Sequence, residues 1–353
     1  MRDPVTAPAS QVEELPDRPA VFLLWAAEGA PYLAKTALLR RRVRRVVARM
    51  NGAITRVEYW PVGSQLEAML VHLELAQRHF PQDWQKITRL KPPVFVRLAT
   101  DNPFPRSQVT TRLGRGLFTG PFPNRSAAEH YQNEVLDLFQ LRRCEENLAP
   151  TPEHPGCMYG EMNKCLRPCQ AAVSREEYAG ESQRVEQFLR TSGASLADPT
   201  EAARDRASAE MQFEEAERLH QQSARIHQAA SAAGELARPL DQLAGVAVVP
   251  AYAPATIELF FFVGGQWLPP RRLQLADTVD GGQSLDRRVR ELLTGMTSTA
   301  SPMLEHMSVL TRWHGSSWRD GEWIGFASLD KLPYRKIVNA VGRVALASAE
   351  KLA

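Results

Sequence analysis

Four cysteines, Cys144, Cys157, Cys165 and Cys169, are all that the 353-residue chain contains, with twelve, seven and three residues between them. One loop-rich segment, ending CMYGEMNKCLRPC, would bring four thiolates to a point, a soft donor set that suits zinc or an iron-sulfur cluster. The same side chains would also serve as four small apolar residues in a core. Disulfides fit least, because the polar stretch Met1 to Pro16 carries no secretory signal and a reducing cytosol favours metal ligation.

A second chemical cluster is basic. Arg40, Arg41, Arg42, Arg44, Arg45 and Arg49 lie within ten positions that contain no acidic residue. On a helix Arg41, Arg45 and Arg49 recur every four residues, opposite an apolar stripe of Leu39, Val43, Val46, Val47 and Met50. Such a run is either a solvated face or a grip on the phosphates of a polyanion. Near the C-terminus, WHGSSWRDGEW (Trp313 to Trp323) is followed by Tyr334-Arg335-Lys336. Its tryptophans, with Arg319 and Lys336, would stack bases and hold phosphates, or close a small core with Arg319 paired to Asp320 or Glu322.

Composition sets the frame around these groups. With 44% hydrophobic and 24% charged residues and a net charge of +3, the chain reads as an ordinary globular protein of two or three domains. The most apolar run, Ile257 to Val263, is far too short to span a bilayer.

The elements that must position the clusters follow from pattern. The first fifteen residues read as a frayed tail. Ala20 to Trp25 and Ala30 to Ala34 read as a hairpin, Thr36 to Met50 as the arginine helix, Thr55 to Pro61 as a strand, and Ser64 to Arg78 as a helix capped by Ser64 with Glu67. Pro92 to Thr100 and Ser107 to Phe118 read as strands. Ser126 to Arg142 reads as a helix whose last turn delivers Cys144. Ser174 and Glu177 cap another, which Ser192-Gly193 closes ahead of a loose linker, Gly193 to Pro199. Thr200 to Gly234 suggests two antiparallel helices. Strands at Gly245 to Tyr252, Thr256 to Val263 and Gln266 to Leu273 follow, with helices at Asp286 to Thr294, Ser301 to Thr311 and Leu332 to Ala349.

The ordered landmarks GPFP (Gly120 to Pro123), LFQLRRC (Leu138 to Cys144), CLRPC (Cys165 to Cys169) and SREEY (Ser174 to Tyr178) resemble the cysteine-rich middle of the UvrC family of excinuclease proteins. The resemblance implies an iron-sulfur cluster, with zinc as the alternative, on Cys144, Cys157, Cys165 and Cys169. Upstream, PAVF (Pro19 to Phe22) and YLAKTALLRRRV (Tyr32 to Val43) are similar to the PGVY and YVGKAKNLRKRV of the family's GIY-YIG nuclease domain. FPRSQVTTRL (Phe104 to Leu113) continues the similarity.

The nuclease pattern is degenerate. It implies catalytic roles for Tyr32 and Arg40, with Lys35 retained, but Phe22 replaces the first tyrosine and His72 the glutamate that holds magnesium or manganese. Glu74, about 200° round the helix from His72, does not take its place. His72 reads as a half-buried helix residue rather than a ligand. The expectation is therefore phosphate contact by Lys35, Arg41, Arg42, Arg44, Arg45 and Arg49 without cleavage. The alternatives are a single-incision nuclease similar to Cho, and a regulator that carries a metal cluster without binding DNA.

AEMQFEEAERL (Ala209 to Leu219) resembles the family's UVR motif. This implies contact of Phe213, Glu214, Ala216 and Leu219 with a UvrB-like partner, against a hairpin packed on its own chain. The tail is similar to proteins that fuse a DnaQ-like exonuclease to a UvrC-like region. The resemblance also implies a short form that stops before the family's ribonuclease-H-like nuclease and helix-hairpin-helix pair. The expected architecture is multi-domain α+β: a tail (1–15), a GIY-YIG-like domain (16–118), a four-cysteine region (119–192), a helical hairpin (193–235) and an α+β C-terminal domain (236–353). The expected location is cytoplasmic, with DNA and a UvrB-like protein as partners and no membrane.

Overall fold

The computed structural model describes residues 2–50, 53–275, 284–293 and 302–350. The chain is mixed α+β and divides into two compact units: residues 1–91 with 244–353, and Pro92–Leu243. Among the described residues no helix is long and apolar enough to cross a membrane.

The first unit begins with a four-stranded antiparallel sheet in the order β1-β4-β2-β3, built from β1 (Val5–Pro8), β2 (Ala20–Ala26), β3 (Tyr32–Thr36) and β4 (Ile54–Pro61). Side chains alternate across a strand. Phe22 and Leu24 therefore join Leu39, Val43 and Val46 of α1 (Leu39–Arg49) on one face, while Val21 and Leu23 meet Ala68 and Leu75 of α2 (Gln65–His79) on the other. The hairpin forms with its second strand two residues later than expected, the arginine helix starts at Leu39 rather than Thr36, and Ser64 caps α2 as expected, accepting the Glu67 N–H at 3.1 Å. The amino terminus does not. Instead of a frayed tail, β1 pairs along β4, and a 3-10 turn (Ala9–Glu14) buries Val12 and then Leu15 in the core. Two apolar residues spaced to reach under α1 outweigh the Pro- and Ala-rich composition. After a short helix α3 (Trp84–Thr88) this part ends.

The same unit resumes at β9 (Gly245–Pro250), the centre of a sheet with β10 (Thr256–Val263), β11 (Gln266–Trp267), β12 (Arg271–Gln274) and β13 (Glu322–Gly325). One face carries α9 (Leu285–Leu293) and α11 (Tyr334–Glu350); α10 (Leu304–His314) packs toward α2. The expected helix ends at Thr294 and Ser301 lie outside the described residues. Two glycines permit close approach. A Cβ on Gly63 would stand 2.0 Å from the Ala251 carbonyl carbon, and one on Gly245 would stand 2.1 Å from the Trp323 ring. An ion-pair staple joins the halves: Arg2 Nη2 donates to Glu67 Oε1 (2.7 Å) and to the fully buried Glu258 Oε1 (2.8 Å), which also accepts from Arg272 Nε (2.7 Å).

The second unit holds a sheet in the order β6-β5-β7-β8, from β5 (Val94–Leu98), β6 (Ser107–Thr110), β7 (Leu117–Phe122) and β8 (Arg238–Pro239). The strands at 92–118 therefore do not continue the first domain, as sequence similarity suggested, but open a separate core. That core contains Val96, Phe104, Tyr131, Tyr178 and Phe188. It is closed by α4 (Arg125–Leu136), α6 (Arg175–Arg190), α7 (Ala194–Ala209) and α8 (Phe213–Ser231), with a short α5 (Met158–Glu161) in the cysteine segment. The Ser174–Glu177 capping box forms, and Gly193 at φ +95° ends the turn after α6. Gly193 to Pro199 is no linker. Pro199 lies inside α7, where Thr200 Oγ1 donates to Leu196 O at 2.7 Å.

Candidate nucleic-acid interface and cysteine segment

Helix α1 begins without a side-chain cap at Leu38. Its first amides are taken from outside instead: Leu39 N–H donates to Arg18 O (3.2 Å) and Arg41 N–H to Asp17 Oδ1 (3.3 Å). Burial of Leu39, Val43 and Val46 fixes the rotation of the helix and leaves Arg41, Arg45 and Arg49 exposed, with no ion pair among the described residues. The other arginines are not all unpartnered, contrary to the sequence reading. Arg44 meets Glu13 at 3.6 Å, Arg40 Nη1 donates to Glu13 O (3.4 Å), and Arg42 Nη2 donates to the Tyr32 hydroxyl (3.3 Å). Arg41, Arg42 and Arg45, with Lys35, Thr36 and Leu38, wall a niche of about 350 Å³. Exposed cations around a concave surface are what a phosphodiester backbone needs.

The positions of a metal-dependent nuclease read differently. Phe22 is fully buried, 6.2 Å from the Tyr32 ring, and is part of the core. His72 is half-buried on α2. Burial first, then the charges of Lys35 and Arg312, push its imidazole down to about 4, so it is neutral at ordinary pH. Desolvation and Arg312 lower Lys35 as well. Arg312 is itself held by the Thr88 and Arg89 carbonyls at 3.4 and 3.3 Å. A divalent cation at His72 would face two positive charges. Glu74 turns to Arg78 at 3.0 Å and lines a separate cavity of about 360 Å³ with Trp60, Phe260 and Trp267, while Glu67 is engaged by Arg2. Among the described residues no group of three His, Cys, Asp or Glu side chains is placed to hold a metal ion.

The four cysteines are free thiols: Cys165 and Cys169 buried, Cys144 half-buried, Cys157 exposed. They sense one another. Burial pushes Cys165 up to about 11, aided by the fields of Cys144, Cys157 and Cys169, and Cys169 is raised by burial and by Cys144 and Cys157. The expected helix from Ser126 stops at Leu136 rather than running to Arg142. The reason is Arg142, which is buried in the irregular stretch beyond. Its N–H donates to the Tyr178 hydroxyl (3.0 Å), its Nε to Phe104 O (2.9 Å), and its Nη1 to Glu146 O (2.8 Å) and Cys144 Sγ (3.6 Å). Tyr178 in turn donates to Pro105 O at 2.8 Å, and the Arg167 N–H donates to Cys165 Sγ at 3.4 Å. This scaffold fixes the first and third cysteines; donors aimed at sulfur suit thiolates.

At the turn between α7 and α8, Phe213 is 70% exposed and Met211 74%. Glu214 is exposed and Ala216 half-buried, but Leu219 is buried, so it offers a partner little surface.

Sequence reasoning missed Arg312, Arg2 and the Glu67–Glu258 pair. One signal was available: Glu258 interrupts an otherwise apolar strand, and such a carboxylate must find a buried partner. Nothing in sequence pointed from Arg312 to His72.

Residues 94–190, inside the second unit, match the family model for the UvrC/Cho excinuclease middle domain. The UvrABC system protein C of Moorella thermoacetica is 28% identical over 59% of this chain and 36% of its own length. That of Desulfitobacterium hafniense is 30% identical over 57% and 34%, and that of Acetivibrio thermocellus is 25% identical over 78% and 46%. The matched part thus spans about a third to a half of these curated relatives. No solved structure matches the chain.

Proposed function

Because the chain belongs to the UvrC family, we propose that it serves nucleotide excision repair by binding DNA through the α1 arginine face, without incising it. One observation carries the reading: exposed Arg41 and Arg45, in no ion pair among the described residues, line a cationic niche, while the nearby His72 position is neutral and flanked by Lys35 and Arg312. Phosphates are attracted to the first site and a divalent metal is repelled from the second. Tyr32, hydrogen-bonded to Arg42, and Arg40, turned to Glu13 O, would then orient the basic surface rather than activate water.

Cys144, Cys157, Cys165 and Cys169 would hold an iron-sulfur cluster or zinc, which would supply a rigid cross-link within the segment. The soft donor set and the N–H donors aimed at Cys165 and Cys144 support this. Binding would require the four sulfurs to draw together, since among the described residues no three of them are placed to hold one metal ion, and Cys157 to leave solvent. Phe213 and Met211, with Glu214 and Ala216 beside them, would dock a UvrB-like protein, since two large apolar side chains exposed at one turn suit a helix partner.

The test is DNA affinity against salt concentration. The parent is expected to bind duplex DNA with an affinity that falls steeply as salt rises. The Arg41→Ala/Arg45→Ala/Arg49→Ala variant is expected to bind more weakly and with a shallower salt dependence. Affinity indifferent to salt would refute the phosphate contact and favour a regulator that does not touch DNA.

A further inference from the structure

The tryptophans of the 313–323 segment divide into two kinds. Trp313 is fully buried, and Trp323 is buried with its ring lying on Gly245 and 6.1 Å from Trp267. These two close the core under α10 and β13. Trp318, between them, is 44% exposed.

The stretch that carries Trp318 is tied down on both sides. Ser316 Oγ donates to Trp313 O at 2.9 Å, and the Arg319 guanidinium lies over the Trp313 ring at 5.9 Å. Asp320 Oδ1 accepts from Trp313 Nε1 (3.3 Å), and its Oδ2 accepts from the Gln65 N–H at the start of α2 (2.6 Å). Asp320 thereby becomes part of a niche of about 260 Å³ whose walls include Lys35, Thr36 and Ala37. The same three residues also wall the arginine niche with Arg41, Arg42 and Arg45. The anchor of the Trp318 stretch thus shares a niche with three residues that also border the arginine niche.

An indole is among the largest apolar surfaces a chain can bury, and its two neighbours in this segment are buried. We propose that Trp318 is a base-stacking residue, held at the end of the arginine track to receive an unpaired nucleobase from DNA whose phosphates lie along Arg41, Arg42 and Arg45. A flat π-face accepts any base, and a tethered loop loses little freedom when the base arrives. The inference rests on the phosphate-binding reading above and extends it from paired backbone to locally opened DNA. It also separates the three tryptophans by role, which the sequence left joined.

Three DNAs of equal length test it: fully paired, carrying a central unpaired bubble, and single-stranded. The parent is expected to prefer the bubble and the single strand. Trp318→Ala should lower affinity for both by about tenfold, the effect of losing one stacked base, while leaving fully paired DNA and its salt dependence unchanged. Trp318→Phe should keep most of the preference. No preference in the parent, an unchanged preference in Trp318→Ala, or an equal loss on paired DNA would overturn the stacking role. Salt-independent binding of paired DNA by the parent, or no binding of any of the three, would instead overturn the phosphate reading and the stacking role with it.

Discussion

The outer face of α1 and the His72 position on α2 belong to one small sheet-and-helix layer, yet they have gone opposite ways. On α1, burial of Leu39, Val43 and Val46 pushes the arginines outward, and the side chains of Arg41, Arg45 and Arg49 meet no carboxylate among the described residues. On α2 the residue that would have to bind a metal is an imidazole held neutral by burial, with Lys35 and Arg312 beside it. Binding an anion needs only exposed cations on a fixed surface. Metal-assisted hydrolysis needs a hard anionic ligand in a defined place. On the proposed reading, the first requirement would survive loss of individual residues, whereas the second would not be met by a neutral histidine with two cations beside it.

The largest effect that sharpens this contrast concerns Phe22, which the family resemblance aligns with a tyrosine. As a fully buried core side chain, Phe22→Ala should cost roughly 3–5 kcal/mol in denaturant unfolding. Phe22→Tyr should cost about 1–3 kcal/mol for an unsatisfied hydroxyl, with no nicking gained. A stable Phe22→Tyr variant that nicks DNA would mean the position was never purely structural.

Next in size is the arginine face. The Arg41→Ala/Arg45→Ala/Arg49→Ala variant is expected to lose roughly 10- to 100-fold in affinity for duplex DNA at moderate salt, and the slope of log K against log salt should shrink by about 2 to 3. Fluorescence anisotropy titrations at several salt concentrations measure both. A loss of affinity with an unchanged slope would point to altered folding of α1 rather than to phosphate contacts.

A smaller effect concerns the staple beneath α2. Burial, then the charge of Glu258, push Glu67 up to about 7. Between the ordinary glutamate value and about 7 the folded chain therefore holds a proton that the unfolded chain has released. The contribution of this group is fully present below that window and is lost as pH rises through it. Glu67→Gln removes the titration. The stability difference between parent and variant should shift by about 1–2 kcal/mol from pH 5 to pH 8, in the direction that disfavours the parent at high pH. Equal pH dependence in the two proteins would mean that Arg2 neutralises Glu67 completely.

The smallest expected change is at His72 itself. His72→Glu should restore no metal-dependent cleavage, because Lys35 and Arg312 remain and the new carboxylate would pair with them. Isothermal titration with manganese checks this directly; tight manganese binding by the variant would show that the flanking cations yield.

Much of this layer was legible in sequence because its signals are local. The period of Leu39, Val43 and Val46 sets the arginine face, and Ser64 with Glu67 announces the start of α2. The buried staple and the cations around His72 were not legible, because Arg2, Arg272 and Arg312 reach their partners from distant parts of the chain. The amino-terminal strand was misread for a related reason: Pro- and Ala-rich composition argues for fraying, while pairing of Val5–Pro8 with β4 and burial of Val12 are tertiary events. Arg142 likewise ended α4 early because its partners, Phe104 and Tyr178, lie on other elements.

The measurement to make first follows binding and strand integrity in one reaction. Protein purified without oxygen is mixed with an end-labelled, lesion-bearing duplex in magnesium and in manganese, and the bound and nicked fractions are read from the same samples. The parent is expected to bind with a salt-sensitive affinity and to leave the strand intact in both metals. A nicked strand produced by the parent and lost in Tyr32→Phe would contradict the separation of phosphate binding from cleavage.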